Sequence, residues 1–269
     1  MSAADRIARA LFAFYMAAFF IYLFAPLVVM SAATFNTSRF PTVTPWQGTT
    51  LQWFTALWND RPMWQSVWTS IVVAFFVVLV ALPVGTAAAL ILTSLHARAR
   101  SFLYALMVSP LLTPGVVIGI ATLVLWRQMG VGGGIFLIVV AQASFIICYV
   151  MLMVAARLQR FDRTQEEAAL GLGASKFMVF RRILLPFLRP ALIAAAFLAI
   201  LQSVENYNTT LFVRGFDTPL TVYIATKVRT GLTPAVNALA LIMIAMTVLG
   251  AIAYEVVRRR QAAAAGRAD

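Results

Sequence analysis

The chain has 269 residues, a formal net charge of +12, and 62% hydrophobic against 11% charged residues, with a mean hydropathy of +0.89. Soluble domains carry about 25% charged residues, and a globule of this size cannot bury so much apolar surface. An ordinary water-soluble enzyme is therefore excluded, and the bilayer is the expected solvent. The basic residues lie between apolar runs and not on soluble segments interleaved with aromatics, so they read as topology signals and not as a nucleic-acid surface.

About 20 apolar residues cross a bilayer as a helix. Six stretches fit, at residues 7–33, 67–92, 104–126, 135–154, 187–203 and 238–257. They predict an all-α integral membrane protein, one transmembrane domain over residues 1–269. The first stretch is longer than the roughly 7–15 residues of a signal-peptide core, so it reads as a span and not a leader. Pro26, Pro83 and Gly85 fall inside spans, and SPLLTPG lies early in the third; such residues are tolerated where neighbouring helices re-satisfy the backbone, which predicts a packed bundle. Between the first two spans, FNTSRFPTVTPWQG is turn-rich and LQWFTALWND suits a short amphipathic helix. Trp46, Trp53, Trp58, Trp64, Trp68 and Trp126 read as interfacial anchors.

Orientation follows from lysine and arginine. With the N-terminus inside, Arg6, Arg9, Arg98, Arg100, Arg157, Arg160, Arg163, Lys176, Arg181, Arg182, Arg189, Arg258 to Arg260 and Arg267 are cytoplasmic, against Arg39, Arg61, Arg127, Arg214, Lys227 and Arg229 outside. Both termini and the loop of residues 157–186 are then cytoplasmic. Cys148 and His96 are each the single residue of their type. That rules out a thiolate metal set and a Ser/His/Asp triad, and no G-x-x-x-x-G-K-[ST] segment is present. The expectation is a non-catalytic chain without a metal or nucleotide site of its own.

The 157–186 loop is the long polar interruption. Thr164-Gln165-Glu166-Glu167 has the form of a capping box, Thr164 and Glu167 exchanging bonds with each other's backbone, and the acids suit the positive end of a helix. The helix continues through Ala168, Ala169, Leu170 and Gly171 and is expected to end at Gly173. A second short helix is expected from about Ser175 to Leu184, with Phe177, Phe180, Ile183 and Leu184 at helical spacing. Pro186 and Pro190 then open the fifth span, where proline fits the first turn. These residues suit either a capped hairpin on the membrane surface or a docking element for a cytoplasmic partner.

The order Glu167-Ala168-Ala169, three residues, Gly173, nine residues, Ile183, one residue, Leu185-Pro186 resembles the EAA loop of type I ABC importer permeases. FNTSRF, WQGTTLQWFTALWND and TPAVNALALIMI are similar to the second permease of spermidine/putrescine-type systems. The resemblance implies a six-helix permease of the bacterial inner membrane. In it, Glu167, Ala168, Ala169, Leu170 and Gly173 form a coupling helix, and Ile183, Leu185 and Pro186 set the angle of the next span. The implied partners are a second homologous permease, two cytoplasmic ATPase subunits that hold ATP and Mg, and a periplasmic solute-binding protein.

Glu205, Asn206, Tyr207 and Asn208 follow the fifth span directly. A carboxylate at bilayer depth costs about 2.5–3.5 kcal/mol unless it meets water or a partner. These four residues fit a pathway lining that contacts a cation or polar solute; they also fit an outer surface or interhelical hydrogen bonds. Polyamine permeases, by the resemblance, carry a pair of acids here, whereas this chain has Glu205 beside Asn206. A small polar organic solute is expected, a polyamine-like cation first, with amino-acid-like, opine-like or phosphonate-like solutes as alternatives. An ion-coupled secondary transporter, the reading of another class, predicts inverted repeats and several buried ionisable residues; the sequence displays neither.

Overall fold

The computed structural model describes residues 3–231 and 233–265; the terminal residues 1–2 and 266–269 of the expected domain lie outside the described residues. The elements, in chain order, are α1 (Ala3–Ala33), α2 (Gln52–Asn59), α3 (Arg61–Ser94), α4 (Ala97–Leu112), α5 (Gly115–Gln128), α6 (Ile135–Leu158), α7 (Thr164–Gly171), α8 (Lys176–Val179), a π-helical turn (Phe180–Leu184), α9 (Leu185–Glu205), α10 (Thr210–Val213), α11 (Leu220–Thr230) and α12 (Pro234–Ala265). Extended pairing among the described residues is confined to an isolated bridge between Asn36 and Thr49. The chain forms two compact units, one of residues 1–61 with 226–269 and one of Pro62–Ala225.

In the first unit α12 packs against α1 and α2. The turn-rich FNTSRF segment is organised by Asn36, which is fully buried. Its Nδ2 donates to the carbonyls of Thr42 (2.9 Å) and Pro45 (3.1 Å), while its Oδ1 accepts from the amides of Ser38 (3.3 Å) and Gln47 (3.0 Å). The Trp53 indole N–H donates to the Asn36 carbonyl at 2.7 Å, which ties α2 to this loop. Trp53 thus has a structural task beyond the interfacial one its residue type suggests, whereas Trp46 and Trp58 are exposed.

The second unit is built on α3, α6 and α9. Buried residues of α3 recur every fourth position at Val73, Val77 and Ala81, with Ala89 and Leu92 beyond. A helix apolar all round belongs inside a bundle, and α6 follows that rule, burying residues from Leu137 to Ala155. On α9 the buried face is Leu188, Ala195, Ala199 and Ser203. Three of those four are small, and small residues let helix backbones approach closely where no water drives association.

Four helices are long and apolar enough to cross a membrane: Ile7–Ala33, Arg61–Ser94, Ile135–Leu158 and the continuous Lys176–Glu205. Two expectations need correction. The third stretch, residues 104–126, is not one rod: α4 and α5 meet at 99°. Thr113 takes extended backbone (φ −85°, ψ 129°), because the proline at 114 clashes with a helical residue before it and donates no hydrogen bond. The helix expected over 175–184 is not separate from the fifth span. Ser175 caps α8 through its hydroxyl, which accepts from the Met178 amide, and the π turn carries the chain straight into α9, the Leu185 amide reaching back to the Phe180 carbonyl. This wide turn immediately precedes Pro186, so the missing amide falls where the ladder is already shifted. Of the sixth stretch, Pro234–Gly250 forms a shorter apolar helix within α12.

Ala199→Leu should test the α6–α9 contact. Overpacking a close interface costs about 1–3 kcal/mol, read as a lower midpoint of thermal unfolding in detergent; an unchanged midpoint would show that this face is not closely packed.

Candidate functional site

The residues singled out by sequence fall in two places on the second unit, a hairpin and a cavity. The hairpin is α7 and α8. The structure corrects its start: Asp162, not the Thr164–Glu167 pair, caps α7. The Asp162 Oδ1 accepts both the Thr164 amide (3.0 Å) and the Thr164 hydroxyl (2.7 Å), and these two bonds hold its carboxyl below the usual carboxylate range. Thr164 spends its hydroxyl on Asp162, and an acceptor two residues before the helix out-competes a reciprocal box because it is reached without ordering the longer Glu167 side chain. The end is as expected. Gly173 has φ +86°, its amide bonds the Leu170 carbonyl (2.9 Å) and the Ala174 amide bonds the Ala169 carbonyl (3.0 Å). That is a Schellman closure, which glycine reaches without strain.

No residue of α7 is buried. Glu167 and Ala168 are exposed and Ala169 is half-buried, Leu172 is 90% exposed and Phe177 70%. Ile183 sits half-buried in the π turn, with Leu185 and Pro186 exposed just beyond. The base of the hairpin is clamped. The Arg163 Nη2 donates to the Thr93 carbonyl at the end of α3 (2.9 Å). The Arg157 Nε donates to the Phe187 carbonyl (3.2 Å), its guanidinium lies 4.2 Å from the Phe187 ring centre, and Phe161 meets the same ring at 5.0 Å. Sequence reading counted these arginines as topology charges; nothing in their spacing announced that they also bind carbonyls and a ring across the fold.

The second place is a cavity of about 250 Å³ where the α4–α5 elbow (Pro110, Thr113, Gly115) faces Phe145 and Tyr149 of α6 and the end of α9. Glu205, Asn206, Tyr207 and Asn208 all line it, with Gln202 and Thr209. The four candidates are thus brought together, but not in equal roles. Glu205 is the exposed last residue of α9. Asn206 leaves the helix (ψ 110°), and its Oδ1 accepts the Thr210 amide (3.2 Å) and hydroxyl (3.1 Å), while its carbonyl accepts the Thr221 hydroxyl (3.0 Å).

Behind it lies a buried set of polar side chains that sequence reading missed. The Ser203 hydroxyl donates to Gln142 Oε1 (2.6 Å), and Gln142 Nε2 donates to the Thr210 hydroxyl (2.8 Å). Gln142 is 1% exposed. A glutamine inside the apolar run of residues 135–154 was the available signal, since such a residue needs partners. A Cβ on Gly119 would lie 2.6 Å from the Thr209 carbonyl, so α5 sits directly on this turn. The Thr209 hydroxyl is the one buried side-chain polar atom without a hydrogen-bond partner among the described residues.

Residues 81–263 match the family of binding-protein-dependent transport system inner membrane components. The chain is 32% identical over 248 residues to the spermidine/putrescine transport system permease protein PotC of Escherichia coli (strain K12), covering 91% of this chain and 92% of that one. The chain belongs to this family of inner-membrane permeases. The permease is also 33% identical over 251 residues to the putrescine transport system permease protein PotI of Escherichia coli (strain K12), covering 90% of this chain and 89% of that one. Its fold matches a crystal structure of a bacterial ABC transporter involved in the import of the acidic polysaccharide alginate, with a TM-score of 0.74, 18% identity, and coverage of 96% and 98% of the two chains. It is a permease component of an ABC importer, which displaces the ion-coupled alternative.

Two measurements probe the permease's local chemistry. Because the Asp162 carboxyl is held below its ordinary 3.8, its cap is complete above that value and is lost as pH falls through the lowered one. The protection of the Thr164 amide, its exchange rate measured against the intrinsic rate at each pH, should therefore fall in acid and, in Asp162→Ala, be low throughout; equal protection in that variant would contradict the cap. Thr209→Val removes an unpaired buried hydroxyl at constant shape. It should leave the unfolding midpoint unchanged or raise it, by up to about 1 kcal/mol of stability, and a clear loss would reveal a partner for that hydroxyl.

Proposed function

We propose that this permease carries a small amine-bearing organic solute past Glu205, and that movement of cytoplasmic ATPase subunits reaches it through the α7–α8 hairpin. The observation that carries this reading is the continuous helix from Lys176 to Glu205. At about 1.5 Å per residue its 30 residues extend roughly 45 Å. One end joins the hairpin that bears Glu167, Ala168, Ala169, Leu170 and Gly173; the other ends in the cavity. The arginine clamps at Thr93 and Phe187 make the hairpin rigid against the ends of α3 and α9, as a lever requires. Ile183, Leu185 and Pro186 lie at the wide turn where the lever meets the hairpin.

In this arrangement six spans cross the inner membrane, the third bent at Thr113–Pro114, with both termini and the hairpin in the cytoplasm. A second homologous permease completes the pathway, a periplasmic binding protein delivers the solute, and ATP and Mg belong to the ATPase subunits; this chain does no chemistry. Glu205, Asn206, Tyr207 and Asn208 line the route. Among the described residues nothing pairs with the Glu205 carboxylate, which leaves it for a protonated amine. Spermidine and putrescine, named for the relatives, meet that condition, and so does an amino-acid-like solute.

In proteoliposomes holding the whole importer, Glu167→Lys and Gly173→Asp should abolish ATP-driven uptake while the binding protein still binds solute. Uptake that survives both would sink the coupling role. Glu205→Gln should raise the solute KM about tenfold through loss of a charged hydrogen bond, and an unchanged KM would remove Glu205 from the route.

A further inference from the structure

The buried polar set behind Asn206 has a direction, and that direction decides what Asn206 offers to the cavity. The Thr210 backbone N–H donates and can do nothing else, so the atom it meets at 3.2 Å is the Asn206 oxygen. The Thr210 hydroxyl accepts from Gln142 Nε2 and so spends its own proton on the same oxygen, at 3.1 Å. Gln142 is in turn held by Ser203. Asn206 Oδ1 is therefore committed to the protein. Its Nδ2 has no partner among the described residues and is not enclosed, on a residue that lines the cavity beside Glu205.

We propose that Asn206 is a specificity-determining residue, locked by Gln142 and Thr210 so that its amide N–H group receives a hydrogen-bond acceptor on the solute. The inference rests on the cavity being the solute route. One wall then offers a carboxylate for a protonated amine and, on the next residue, a donor. The solute that satisfies both carries an amine and an acceptor such as a carboxylate, an amino-acid-like zwitterion. A second ammonium at the Asn206 position would face N–H hydrogens. A donor that a bound solute covers without pairing is how a polar site rejects an analogue that lacks the matching group.

The test uses two probes of equal carbon-chain length, 4-aminobutanoate and 1,4-diaminobutane. Their binding to the complete permease–ATPase complex in lipid nanodiscs is measured by calorimetry without ATP and without the binding protein, so that only the membrane route is read. Wild type should favour the aminocarboxylate by about tenfold, and Asn206→Asp, isosteric and able to keep both Thr210 bonds, should reverse the preference by a similar factor. Gln142→Leu or Thr210→Val should erode the wild-type preference, whereas Thr210→Ser, which retains the hydroxyl, should preserve it. A wild-type preference for the diamine, an unchanged ratio in Asn206→Asp, or binding of neither probe would overturn the assignment. None of these outcomes touches the lever reading, which is judged by ATP-driven uptake in the Glu167 and Gly173 variants.

Discussion

Leu188, Ala195, Ala199 and Ser203 lie along one face of α9 and are buried, and α6 is the helix they pack against. In an apolar solvent this contact cannot be driven by exclusion of water; it depends on backbones coming close enough for dispersion and for a few polar bonds. The small side chains supply the closeness. Ser203 supplies the polar bond, since it reaches Gln142 only because the residues before it keep the helices near. What α9 carries at its two ends, the hairpin and the cavity wall, inherits its position from this one face.

At the cavity the chain leaves the helix twice, at Thr113–Pro114 and at residues 206–209. Away from water each departure needs substitute partners for the backbone. Asn206 provides them on one side, accepting from the amide that begins the next short helix and, through its carbonyl, from Thr221. The close seat of Thr209 on Gly119 joins the two departures, so elbow and turn form one joint. The residues that stabilise the break are thus the ones that decide which groups face the cavity.

The hairpin shows how far a linear pattern can be read. Gly173 ends α7 because a left-handed residue is needed there, and that need is local. The start was misread for an equally physical reason: Thr164 has two possible acceptor schemes within three residues, and Asp162 wins by proximity. The clamps made by Arg157 and Arg163 were illegible. Their partners, Phe187 and the Thr93 carbonyl, lie 30 and 70 residues away in the chain, and a carbonyl has no side-chain signature.

The amino-acid sequence by itself determined that this is a helical membrane protein, where most of its apolar helices run, that its longest polar loop carries an EAA-type pattern, and that Glu205 and its neighbours form a polar cluster at the end of a span. Hydropathy, glycine and capping residues act over a few positions, so these features are written locally. Proline at 114 marks a break locally, but tertiary structure decided the 99° bend made there, the union of α8 with α9 into one continuous helix, and the fixed orientation of Asn206 through Gln142 and Thr210. Each of these depends on which backbone or side-chain group fills an unmet hydrogen bond or an open space, and that partner is chosen by packing, not by sequence distance.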